Sequence, residues 1–275
     1  MAHPVIDRIS YHAVYDASIM DALQYARDNG FNGIQVAVET PHLSFESLAD
    51  ENITDIATFA AANNLYITVH APDETASLYQ TNRFLREGIL KYYRALFEFA
   101  RKVQARLVTI HIGQMALFPT DTMREITVPE EDQAIYREVV KQNLEQLLEF
   151  AAGHFTLCVE NYALDQFSLL LLRSYLDDHK IALCWDISKS WNNSIFERYF
   201  LSSIEHIKQV HLHDIRTDDT GRVRSHRVIG SGDIDFTYYL DQLATADVLD
   251  YCIEVRPREK ARESLKALKK ILGVL

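Results

Sequence analysis

"QVHLHD" (residues 209 to 214) opens like a strand and closes on His211, His213 and Asp214 within four positions. A strand turns successive side chains to opposite faces with period two, so the polar residues of such a run are sorted by face and by depth. The same pattern recurs along the chain. "RISYHAV" (8 to 14), "GIQVAV" (33 to 38), "LYITVHA" (65 to 71), "LVTIHIG" (107 to 113), "FTLCVEN" (155 to 161), "IALCWD" (181 to 186) and "YCIEVR" (251 to 256) are all short runs rich in β-branched and aromatic residues, as strands are. Between them "SIMDALQYARDNG", "ESLADENITDIATFAAANN" and "REGILKYYRALFEFARKVQ" place apolar residues three and four apart, the spacing of helices with one buried face. Asn29-Gly30 and Gly153 stand where helices would stop.

Eight strand-then-helix units in a chain of 275 residues match a single (β/α)8 TIM barrel, expected as one domain over residues 1 to 275. A doubly wound open sheet would usually carry a phosphate-binding glycine loop after its first strand, and no GxGxxG or P-loop sequence is present. Two connections are long, 113 to 129 after the fourth strand and 215 to 235 after the seventh. Both follow strand C-termini, the face where such barrels keep their active sites, so both are candidate walls or lids.

Lys and Arg number 28 against 39 Asp and Glu, a formal net charge of −11. That balance argues against a nucleic-acid partner gripped by charge alone and favours a small molecule. The start "MAHPVIDRISYHAV" lacks a basic segment followed by an apolar one, and no apolar run approaches a membrane span. The expectation is a cytoplasmic protein without a membrane association. Cys158, Cys184 and Cys252 lie far apart inside apolar runs, which reads as reduced, buried thiols and not as a disulfide or zinc framework.

His70, His111, Glu160, Asp186, His211 and Glu254 stand at or near the C-terminal ends of the third to eighth strands. Three carboxylates sharing one partly dehydrated mouth would repel one another and raise one another's pKa, and a divalent cation removes that cost. Mixed carboxylate and imidazole donors suit manganese, cobalt, zinc or iron better than magnesium. A salt-bridge network is the competing reading, with Lys189, Arg216 and Arg256 as its cations. Cys158, Cys184 and Cys252 lie two residues before Glu160, Asp186 and Glu254, and Thr68, Thr109 and Gln209 hold the same relation to His70, His111 and His211. These residues are expected one step deeper in the barrel, as a floor beneath the candidate ligands. Trp185, Trp191, Tyr162 and Phe118 could wall a pocket, although core positions suit each of them better.

"VHAP" (69 to 72), "IHIG" (110 to 113), "VEN" (159 to 161), "WD" (185 to 186), "VHLHD" (210 to 214), "IGSGDIDF" (229 to 236) and "IEVRP" (253 to 257) together resemble the xylose isomerase-like TIM barrel superfamily. It groups sugar and sugar-phosphate isomerases and epimerases with endonuclease IV-type apurinic/apyrimidinic endonucleases. The resemblance implies a metal site of Glu160, Asp186, His211 and Glu254, with Glu160 and Glu254 also exchanging protons with substrate. It implies that the ligand in "HLHD" is His211, with His213 lining the pocket and Asp214 orienting neighbouring groups.

A second metal, or substrate contacts, would fall to His70, His111 and His226, and Lys189 and Arg256 would meet a substrate phosphate or carboxylate. The sequence departs from the endonuclease pattern at Lys189 and Arg224, where that branch has histidine and aspartate. It also carries Gln35 where many relatives have glutamate. The expected activity is a divalent-metal-dependent sugar or sugar-phosphate isomerase or epimerase, with one manganese, cobalt or zinc ion expected and a second possible. The rival readings are a metal-dependent nuclease acting at abasic sites and a sugar sensor without turnover.

Overall fold

The computed structural model describes residues 5–72, 75–115, 129–162, 164, 166–191 and 193–275. Eight strands close into a parallel barrel: β1 (Ile9–Ala13), β2 (Gly33–Ala37), β3 (Tyr66–His70), β4 (Leu107–Ile110), β5 (Thr156–Glu160), β6 (Ala182–Asp186), β7 (Ile207–Leu212) and, last in the chain, β10 (Asp250–Ile253), which pairs with both β7 and β1. The connection after β7 contains an antiparallel hairpin, β8 (Asp214–Thr217) and β9 (Val223–Arg227). Around the barrel lie α1 (Ile19–Asn29), α2 (Asp50–Ala62), α3 (Arg83–Lys102), α4 (Glu130–Ala151), α5 (Gln166–Asp177), α7 (Ser194–Leu201), α8 (Phe236–Leu243) and α9 (Arg258–Ile271), with the single turn α6 (Ile187–Ser190) directly after β6.

Local signals in the sequence set the element ends. Ser18 caps α1 by accepting from the Asp21 N–H at 3.1 Å, and Gly30 ends it with φ 77° while its N–H reaches Ala26 O. Strands β4 and β7 differ from the expected runs. The ladder of β4 stops at Ile110, because Ile112 O accepts from Leu78 N in the next connection. β7 covers Ile207–Leu212, and Asp214 opens the hairpin instead of closing the strand.

Side chains fill the interior of the barrel. Leu107, Cys158, Ala182 and Cys184 make a small apolar plug within it. The larger core lies between strands and helices, where Trp185 stacks on Phe200 at 5.6 Å and donates Nε1–H to Ser190 Oγ at 2.8 Å. Trp185 is therefore core, as residues of that size usually are when fully enclosed. Trp191 packs partly buried against the same cluster. Phe118 and most of the connection 113 to 129 lie outside the described residues.

The expected floor is present. Thr68, Thr109, Gln209, Cys158, Cys184 and Cys252 are all fully buried. Burial pushes all three thiols up, which leaves them protonated.

Candidate active site

The C-terminal mouth of the barrel encloses a cavity of about 290 Å³ bounded by His12, Val14, Glu39, His70, His111, Glu160, Tyr162, Lys189, His226, Glu254 and Arg256. Its centre is one carboxylate oxygen. Glu160 Oε2 lies 3.1 Å from His70 Nε2, 3.1 Å from His111 Nε2 and 3.3 Å from His211 Nδ1. Burial pushes this carboxyl up, but the imidazoles of His211 and His111 outweigh burial and hold it well below the usual carboxylate range. Glu254 is likewise ionised: burial raises it, and His12, His226 and His211 more than compensate.

His211 is fully enclosed, with Nδ1 3.3 Å from Glu160 Oε2 and 3.5 Å from Glu254 Oε2, yet Nδ1 makes no hydrogen bond. A buried imidazole nitrogen aimed between two ionised carboxylates and left without a partner suits a cation ligand. The donor set of imidazole and carboxylate fits manganese, cobalt or zinc. Three groups of ligand atoms lie within 4.8 Å of one another among the described residues: His70, His111 and Glu160; Glu160, Cys184 and His211; and His213, His226 and Glu254.

Asp186 is in none of these groups. It caps α6, its Oδ1 accepting from Ser188 N at 2.9 Å and Ser188 Oγ at 2.7 Å, and its Oδ2 faces His213 Nε2 at 3.3 Å. His213 is buried beside it and is not among the residues bounding the cavity. The His226 backbone N–H lies 3.0 Å from its Nδ1, and its Nε2 meets Ser188 Oγ at 2.9 Å as well as Asp186; burial pushes this imidazole down, but the Asp186 carboxylate outweighs burial and raises it to about 9.

The hairpin accounts for His226. Asp214 Oδ2 accepts from Gly232 N at 2.8 Å, and its Oδ1 accepts from Ile215 N at 2.9 Å and Ile234 N at 3.2 Å. This carboxylate clamps both ends of the connection, so β9 folds back over the mouth. There His226 Nε2 stands 3.3 Å from Glu254 Oε1, with its ring stacked 4.3 Å over His213. His226 holds φ 54°, the left-handed region that non-glycine residues enter only when their surroundings impose it.

The cations divide. Arg256 donates Nη2–H to Glu254 Oε1 at 3.0 Å, among the described residues the one pairing of the competing salt-bridge reading that reaches a candidate ligand. Lys189 places Nζ 5.1 Å over the ring of Tyr162, which itself stacks on His111 at 4.7 Å. Arg224 pairs with Asp218 at 3.2 Å on the hairpin turn.

Two residues of the site were missed by reading strand ends. His12, on β1, is 7% exposed and bounds the cavity, with Nδ1 3.5 Å from Glu254 Oε1 and neither ring nitrogen hydrogen-bonded. Burial pushes it down to about 4, so it is neutral. The rule that picked His70 and His111 picks His12 as well, since it too closes a strand. Glu39 follows β2 and also borders a larger groove with Glu46 and Tyr92, a placement that no periodicity announces.

The sequence profile of the family described as xylose isomerase-like TIM barrel matches residues 23–271. No curated protein matches the chain by sequence. Among solved structures, a D-tagatose 3-epimerase-like protein is similar with TM-score 0.75 and 20% identity, covering 97% of each chain. The 3-keto-D-glucoside 4-epimerase from E. coli is similar with TM-score 0.71 and 17% identity, over 96% of this chain and 99% of that one. An L-ribulose 3-epimerase is similar with TM-score 0.72 and 15% identity, over 97% and 94%.

Proposed function

Since the chain belongs to the xylose isomerase-like TIM barrel family, we propose that it is a divalent-metal-dependent isomerase or epimerase of a sugar or sugar phosphate, folded as one domain over residues 1 to 275. The observation that carries this reading is the pair of ionised carboxylates, Glu160 and Glu254, on either side of the unpartnered Nδ1 of His211. The names of the similar structures, two sugar epimerases and one epimerase-like protein, support the substrate class.

In this reading Glu160, His211 and Glu254 hold a manganese, cobalt or zinc ion, and Asp186 completes the set by turning Oδ2 from His213. A second ion has a place at His70, His111 and Glu160. Bound metal supplies Lewis-acid stabilisation of the negative charge that develops on substrate oxygens.

The chain's own groups do the rest. Proton abstraction next to a carbonyl needs a base within reach of the C–H, and inversion needs a second group on the opposite face to return a proton. Glu160 and Glu254 serve as that pair. His12 and His226 flank Glu254 at 3.5 and 3.3 Å and bind substrate hydroxyls. Lys189 and Arg256 border the same cavity and meet an anionic group of the substrate where it has one.

Elemental analysis of protein prepared without chelator tests this reading. One equivalent of manganese, cobalt or zinc, reduced in Asp186→Ala, agrees with it, and absence of metal after reconstitution overturns it. The second reading is abasic-site phosphodiester cleavage, favoured by the grouping of His70, His111 and Glu160 and by His226 over Glu254. Lys189 and Arg224 stand against it, and cleavage of a tetrahydrofuran-containing duplex at about 0.1 M salt would revive it.

A further inference from the structure

A groove of about 970 Å³ lies beside the cavity at the barrel mouth, and Glu39 borders both. Val38 and Glu39 follow β2 and Pro72 follows β3, so the groove opens on the same face of the barrel as the site. Helix α3 forms its other wall with Gly88, Ile89 and Tyr92. The mouth cavity, about 290 Å³, is at the lower end of the roughly 300–1,000 Å³ that small-molecule sites occupy, and the groove is near the upper end.

Gly88 points to an occupant. It stands in the interior of α3, where glycine weakens a helix relative to alanine. Neither backbone conformation nor packing asks for it: its φ is not left-handed, and a Cβ there would meet no atom of the described residues within 4 Å. The missing side chain keeps the groove open one helical turn before Tyr92, on the same face of the helix. The Tyr92 ring is held by Phe45 at 5.5 Å, which stacks in turn on Phe99 at 5.5 Å. Burial first, then Glu46 and Glu39, push the Tyr92 hydroxyl up to about 12, so it keeps its proton and can donate beside two carboxylates.

We infer that the groove is a subsite for a second, uncharged sugar unit, so that the substrate is a sugar carrying a glycosyl group and not a lone monosaccharide. The walls select that occupant. Glu39 and Glu46 accept hydroxyl protons, each carboxylate through about four lone-pair positions. No lysine, arginine or histidine lines the groove among the described residues, so a phosphate or carboxylate would find no cation there. The Tyr92 ring, Ile89 and Pro72 offer apolar surface to the C–H face of a pyranose, while its edges carry the hydroxyls. Contacts this far from the reacting carbon position it and supply binding energy for the chemical step.

The inference rests on the proposed isomerase or epimerase reading, and its test separates the two. D-Fructose and its glycosylated forms lactulose, maltulose and isomaltulose are titrated calorimetrically into wild type and Gly88→Leu in the presence of Mn2+. Each mixture in D2O is also followed by NMR for exchange beside the carbonyl. At least one disaccharide should bind wild type at least about tenfold more tightly than D-fructose, a margin that filled pocket contacts supply. Gly88→Leu should lose that margin while melting no lower than wild type. D-Fructose binding as tightly as every disaccharide overturns the inference whether or not Gly88→Leu folds. A margin that survives in folded Gly88→Leu also overturns it, because the second unit would then lie elsewhere. Exchange in D-fructose without any such margin leaves the isomerase or epimerase reading standing and removes the subsite. The margin without exchange in any of the four sugars keeps the groove as a sugar site and removes that reading.

Discussion

His211 Nδ1 stands 3.3 Å from Glu160 Oε2, and between a fully enclosed imidazole and a carboxylate 4% exposed there is no hydrogen bond. A buried donor and acceptor this close would normally align, because an unmet polar group costs about 1–3 kcal/mol. Glu160 Oε2 already meets His70 and His111, and a cation shared with it gives Nδ1 the partner it lacks. Replacing His211 by Ala should therefore lower metal content and weaken Mn2+ binding by at least about tenfold, read by elemental analysis and calorimetry. Unchanged binding would place the ion elsewhere.

Glu254→Gln keeps the shape of the side chain and the Arg256 contact but removes a basic oxygen from the mouth. Loss of one partner in proton transfer should lower turnover by about 10²- to 10⁴-fold, measured as steady-state kcat on the best sugar substrate. A loss of less than about tenfold would show that Glu254 does not move the proton.

His12 is buried with both ring nitrogens unpaired, so it is a burden on the fold that a ligand hydroxyl would relieve. His12→Leu should leave the melting temperature equal or higher while kcat/KM falls. A lower melting temperature with unchanged kcat/KM would mark His12 as structural.

Gly232 leaves no room for a side chain: a Cβ there would lie 2.0 Å from Ile215 O and 2.5 Å from Asp214 Oδ1. Gly232→Ala should cost about 1–3 kcal/mol, as overpacking does, and lift the hairpin that carries His226. Thermal denaturation beside kcat/KM reads both effects, and an unchanged melting temperature contradicts the clamp.

Asp250 has its pKa raised from 3.8, with burial as the largest cause and the donors on it opposing. A carboxyl whose folded value is raised contributes stability below the unfolded value, and that contribution is lost as pH rises through the folded value. Asparagine cannot ionise, so the melting temperature of Asp250→Asn relative to wild type should become more favourable as pH rises from just below 3.8 to neutrality. A difference that stays flat with pH would mean that Asp250 is not strained by its charge.

The barrel and most of its mouth were legible in the sequence because period-two alternation fixes both face and depth. Glu160, His70, His111 and His211 meet where their strand ends placed them, and Cys184 and Gln209 lie beneath as a floor. What strand ends could not give was the pairing across strands. Asp186 meets His213 and not His211 in this structure, since contact at the mouth depends on the stagger of β6 against β7 and on the turn of α6, neither of which has a sequence period. His226 was legible only as a motif residue. Its approach to Glu254 depends on the Asp214 clamp and the hairpin, where polar, exposed residues carry no alternation. Gln35 marked a departure from relatives, and its contact with His211 appears only once the barrel is closed.

The central claim is proton transfer at a carbon next to a carbonyl, carried by Glu160 and Glu254. Mn2+-loaded protein incubated in D2O with a panel of ketoses and their phosphates, followed by NMR, tests it directly. The account predicts replacement of a single C–H by C–D beside the carbonyl of at least one sugar, abolished in Glu254→Gln. Metal-loaded protein that exchanges no proton in any of them, yet cleaves a duplex at an abasic site, would contradict it.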